Sequence, residues 1–116
     1  MKTVLFEISS PRVAIERIAT QLEKHGYPNH ARITFRSPES MASVLTPTRW
    51  TIIQAMTGTG PTGVRELARR VKRDVKGVHN DANALITAGI IDRTEDGKYL
   101  FPFDAVKVNF ELRSAA

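Results

Sequence analysis

The chain has no cysteine among its 116 residues. That excludes a disulfide framework, a thiolate nucleophile and any zinc or iron–sulfur centre held by cysteine, and it suits a reducing cytoplasm. Long apolar runs are missing too. The opening MKTVLFEISS is interrupted by Glu7 before a signal-peptide core can form, and no segment approaches the ~18–20 apolar residues that a bilayer crossing needs. Catalytic motifs are absent: there is no nucleophile elbow, phosphate loop or metalloprotease helix. His25, His30 and His79 lack both ligand spacing and a cluster of carboxylates. The expectation is a cytoplasmic protein that is not an enzyme and holds no metal or cofactor. Acid is scarce relative to base. Seventeen Lys and Arg stand against twelve Asp and Glu, a formal charge of +5, which favours a polyanionic partner where the cations share a face.

What is present is enough for one folded unit. At 41% hydrophobic and 25% charged residues, the composition argues against general disorder and for a single domain with a modest core. TVLFEI alternates as a strand with apolar residues on both sides. Ser10 and Pro11 then signal a helix start. Ile15, Ile18, Ala19 and Leu22 follow at helical spacing as its expected buried face, and YPNH is a connection. ARITF reads as a short strand with Ile33 and Phe35 on one side. Ser37 with Pro38 and Thr46 with Pro47 start two further helices. Trp50, Ile53 and Met56 on the second of these are expected in the core. TGTGPTG breaks it.

The stretch RELARRVKRDVKGVHNDANAL, residues 65–85, sets six Lys and Arg among spaced aliphatics. Val64, Leu67, Ala68 and Val71 fit one helical face, with Gly63 as N-cap and Glu66 in the place of a capping-box partner. The phase resets near Asp74, the expected cap of a second helix. Val75, Val78, Ala82, Leu85 and Ile86 form its inward face. So short a connection matches a helix-turn-helix. IIDRTEDGKYLF follows as a hairpin about Asp96 and Gly97, and helix, helix, helix, hairpin is the order of a winged helix. AVKVNFEL alternates as a last strand whose buried face is Val106, Val108, Phe110 and Leu112, pairing with the N-terminal strands in the same or a second subunit.

With that inward face, Lys76, His79, Asn80 and Asn83 point outward. In a major groove, lysine donates to guanine acceptors and asparagine matches the donor–acceptor pair of adenine. Arg69, Arg70, Lys72 and Arg73 surround the turn, where sugar–phosphate backbone would approach, and Arg65 begins the preceding helix. Arg93 and Lys98 flank the hairpin, which is expected either to add phosphate contacts or to enter the adjacent minor groove, although Glu95 and Asp96 make its tip poorly suited to close contact. The competing reading is a solvated surface on two ordinary helices; the spacing, the hairpin and the concentrated positive charge together outweigh it. Gly77, inside the second helix, reads as tolerated drift.

LTPTRWTIIQAM, VRELARRVKRDVKGVHND and GIIDRTEDGKYLFPFD together resemble a family of small MarR-like winged-helix DNA-binding proteins of archaea and bacteria. The likeness extends to ITFRSPESM and the alternating C-terminal strand. It implies a dimeric transcription regulator, and some members are encoded beside small toxins, which adds an antitoxin role. The family pattern often has glycine in place of Lys72, a polar residue in place of Gly77 and arginine in place of Asn80. Lys72 therefore adds charge at the turn, whereas Gly77 and Asn80 remove contacts, so no operator preference carries over.

The resulting expectation is an α+β chain with an N-terminal αβ extension over 1–45 for dimerisation. A winged helix-turn-helix spans 46–103, and a C-terminal strand and tail over 104–116 pack on the extension. Its function is that of a homodimeric repressor binding double-stranded DNA through a recognition helix at 74–88. An interaction module that holds a partner protein such as a toxin, without specific DNA readout, is the alternative.

Overall fold

Two of the three proline-led helices start as their sequence signals require. Ser10 Oγ accepts the Val13 amide at 3.2 Å and Ser37 Oγ accepts the Ser40 amide at 3.0 Å, each with proline at the first helical position. The Thr46 hydroxyl instead pairs with that of Thr48, so the third helix begins on Pro47 without a side-chain cap. The computed structural model describes residues 1–26, 31–112 and 114, which leaves the 27–30 connection, His30 included, and part of the tail outside the described residues. The chain is α+β. Its elements run β1 (Thr3–Ile8), α1 (Pro11–His25), β2 (Ala31–Phe35), α2 (Pro38–Val44), α3 (Pro47–Met56), α4 (Val64–Val71), α5 (Val75–Thr87), β3 (Asp92–Arg93), β4 (Tyr99–Leu100) and β5 (Ala105–Asn109).

β1 is the centre of a three-stranded sheet, ordered β2-β1-β5, and pairs parallel with both neighbours. Residues in register across a ladder share a face, so Val4 aligns with Val106, Phe6 with Ile33 and Val108, and Ile8 with Phe35. This apolar face meets α3, where the Phe6 ring lies 5.8 Å from Trp50 and 6.2 Å from Phe35. Trp50 is half-buried, on the core side but not enclosed. The second part of the core lies between α3, α4 and α5, where Ile52, Met56, Leu67, Val78 and Leu85 are fully buried.

The opposite face of the sheet is polar, and this corrects the reading of α1. Glu7 is buried there, receiving Arg17 and Arg32, each at 3.0 Å, and the Thr34 hydroxyl at 3.3 Å. A helix resting on carboxylate, guanidinium and threonine gains nothing by pressing isoleucines against them. α1 therefore turns Ala14, Arg17 and Gln21 inward and leaves Ile15, Ile18 and Leu22 exposed. Ala19, the fourth residue of the expected buried face, is exposed with them.

β5 departs from expectation at its far end. The ladder stops at Asn109, and Val108, Phe110 and Leu112 are exposed rather than covered, because β5 is an edge strand with no further layer over its free side among the described residues. At the other end of the fold, β3 and β4 form the hairpin. Thr62 bridges to Tyr99 by a reciprocal pair of 2.9 Å backbone hydrogen bonds, so the segment before α4 is stitched to β4.

Candidate nucleic-acid interface

The turn between α4 and α5 is three residues long, Lys72 to Asp74, and its geometry depends on Lys72. Lys72 caps α4 in the left-handed region, φ 58° and ψ 48°, the one non-glycine with positive φ among the described residues. Its amide bonds back to Arg69 at 3.3 Å and the Arg73 amide to Ala68 at 3.0 Å, closing the helix end. Two residues on, Asp74 caps α5 by accepting the Gly77 amide at 2.8 Å. The space beside Gly77 is narrow and bounded by two side-chain ends. A Cβ there would stand 2.9 Å from both Arg73 Nη2 and Asp74 Oδ1, so it would crowd the side chains that organise the turn.

Arg73 is tied down. Its Nη1 meets Asp81 Oδ2 at 2.8 Å, while Arg49 Nε from α3 meets Asp81 Oδ1 at 3.2 Å and Arg49 Nη1 reaches the Val44 carbonyl at 3.1 Å. One carboxylate on α5 thus holds the turn on one side and α3 on the other. Burial raises the Asp81 pKa, but the hydrogen bonds from Arg73, Arg49 and Thr48 outweigh it and hold the carboxyl below its ordinary value. Arg73 and Arg49 position α5 relative to α3.

α5 is divided as its pattern predicts, with two exceptions, Val75 and Asn83. Val78, Ala82 and Leu85 are fully buried, while Lys76, His79 and Asn80 are exposed. Val75, expected inward, is 43% exposed, since it begins the first turn beyond the reach of the core. Asn83 is half-buried and engaged: Arg93 Nη2 donates to its Oδ1 at 3.1 Å, and its Nδ2 lies 3.4 Å from the His79 ring nitrogens. The Arg93 guanidinium also sits 5.6 Å from the centre of the Tyr99 ring, so α5 and the hairpin are linked through one chain of side chains.

The remaining sequence-selected cations fall into two groups. On α4, Arg69 and Arg70 both pair with Glu66, Arg70 Nε at 3.2 Å. This replaces the capping-box role expected of Glu66, because Gly63 has no side chain with which to complete one. Arg65, Lys72 and Lys76 are exposed. Lys98 lies 4.0 Å from Asp96 at the hairpin tip, where the Thr94 hydroxyl donates to Asp96 and holds that carboxyl below its usual range. Sequence reading missed Arg49, Asp81 and the Thr62 bridge. Asp81 did carry a signal, for it lies three residues after Val78 and four before Leu85, a charge on the buried stripe that requires partners.

No cluster of His, Asp or Glu suited to a metal occurs among the described residues, nor does a helix long and apolar enough to cross a membrane. Comparisons with curated proteins and with solved structures returned no match. The profile of the HVO_A0114 family does align, over residues 44–108, from the last residue of α2 through the turn, α5 and the hairpin into β5. With more than half of the chain inside that match, the protein belongs to the HVO_A0114 family.

Proposed function

We propose that this protein is a sequence-specific regulator of transcription that binds double-stranded DNA as a homodimer, with α5 as the recognition helix in the major groove. The observation that carries this reading is the division of α5. Its aliphatic side is buried, and its outward side presents Lys76, His79 and Asn80. Two of the nearby carboxylates that would repel phosphate are already paired with cations, Asp81 with Arg49 and Arg73, and Glu66 with Arg69 and Arg70. The order α3, α4, α5, β3, β4, with Thr62 bridged to β4, supports a winged helix-turn-helix.

In this reading Lys76, Asn80 and the exposed methyls of Val75 face base edges, where a valine suits the thymine methyl. Lys72, Arg65 and the outer atoms of Arg69 and Arg70 face phosphates. Arg73 contributes through Asp81, and Asn83 must leave Arg93 before it can read a base. The test is fluorescence anisotropy against genomic fragments selected for binding, at several salt concentrations. Lys72→Ala should weaken binding to all sequences and flatten the salt dependence by roughly one unit of log–log slope. Lys76→Ala should weaken specific more than non-specific binding. Unchanged affinity and slope in both variants would remove the proposed surface.

A further inference from the structure

The free edge of β5 carries an inference beyond DNA contact, and it rests on the homodimer in the reading above. Natural edge strands are usually guarded by inward charges, proline or a covering segment. This one is not. Val108 and Phe110 are each nearly half exposed, and Leu112 more so. Beside the edge, two clefts run along the apolar side of the sheet. Trp50, Ile53, Val106 and Val108 line one, and Met41, Leu45, Trp50, Val108 and Phe110 line the other. Phe110 lies on the Val108 side, so the two-residue alternation of β5 continues past the end of its ladder.

We propose that the occupant of this edge is β5 of a second copy, added antiparallel about a two-fold axis through Asn109, so that the two three-stranded sheets become one of six strands. The pattern of residues selects both the occupant and the register. With Asn109 opposite its own copy, Val108 faces Phe110 of the second copy and Val106 faces Leu112, while Lys107 faces Glu111. Every exposed apolar residue of this strand, Val108, Phe110 and Leu112, then meets an apolar one over the Trp50 clefts, and both charged pairs are of opposite sign. Moving the axis to Val108 places Leu112 opposite Asp104 and Lys107 opposite Asn109. Moving it to Lys107 sets like charges face to face. A two-fold contact requires such self-complementarity, and of these three registers the one centred on Asn109 has it.

The test uses the full chain without DNA, by sedimentation equilibrium and light scattering after size exclusion. The wild type should dimerise, and Phe110→Asp should raise the dimer dissociation constant on the order of 100-fold. Circular dichroism should remain native because Phe110 is not part of the subunit core. Lys107→Glu and Glu111→Lys should each weaken the dimer about 10-fold, and the two together should restore it. Asn109→Cys, in a chain with no other cysteine, should give a disulfide-linked dimer on oxidation. A monomeric wild type, a dimer indifferent to Phe110→Asp, or failure of the charge swap to restore association would each overturn the proposal. A monomer that still binds its DNA site would remove this interface alone, whereas a dimer of this kind without DNA affinity would remove the DNA reading alone.

Discussion

Lys72, in the α4–α5 turn, and Asp81, which holds that turn from α5, act on stability in opposite directions. Lys72 occupies a left-handed conformation that costs an ordinary residue about 1 kcal/mol and glycine much less. Lys72→Gly should therefore raise unfolding free energy by about 0.5–1 kcal/mol in a denaturant titration, while lowering DNA affinity as the alanine variant does. Asp81 pulls the other way. Asp81→Asn keeps the shape but leaves Arg73 and Arg49 without their anion, and should cost about 2 kcal/mol at neutral pH. Because the folded carboxyl titrates below its ordinary value, its stabilisation is full above about pH 3.9 and fades as pH falls through the lower folded value. Wild type and Asp81→Asn should accordingly converge in stability in acid, and denaturation curves at stepwise lower pH would show whether they do.

Among the elements, α5 makes the cleanest distinction between what folds the chain and what is displayed on it. Leu85 is fully buried, so Leu85→Ala should cost about 2–5 kcal/mol. Lys76→Ala and Asn80→Ala, on the exposed side, should stay within about 0.5 kcal/mol of wild type. If the outer substitutions destabilise as much as the inner one, α5 is not the divided helix described. This division was legible in the sequence because each side of α5 follows its period and Asp74 marks the start. The starts of α1 and α2 were legible for the same local reason, serine before proline. α1 was misread because periodicity shows that a helix has an apolar stripe, not that the neighbouring sheet offers an apolar surface to receive it; Glu7, Arg32 and Thr34 do not. At the candidate site, exposure of Lys76, His79 and Asn80 followed from spacing. The engagement of Arg73 by Asp81 and of Asn83 by Arg93 did not, since those contacts join residues eight and ten positions apart through tertiary geometry.

At the scale of the whole molecule, the proposed DNA reading calls for two copies, because a single α5 displays few outward groups. In that reading Lys76, His79, Asn80 and Val75 would reach at most a few base pairs, and each good base contact discriminates by about 1–3 kcal/mol. A second copy doubles the readout and fixes a distance. Two recognition helices related by a two-fold axis enter successive major grooves when half-sites lie about 34–36 Å apart, about one helical turn of DNA. The selected fragments should therefore contain an inverted repeat with that spacing. Inserting about 5 base pairs between its halves rotates one half-site to the opposite side of the duplex, so that both copies can no longer engage together. Affinity should then fall to that of a single half-site, on the order of 100-fold weaker, and insertion of a full turn should recover part of it only if the dimer tolerates the longer span. Phe110→Asp provides the complementary control, for it should lower affinity for the intact repeat while leaving binding to an isolated half-site unchanged. Equal loss on both DNAs would place Phe110 in the DNA contact or the subunit core instead of between two copies.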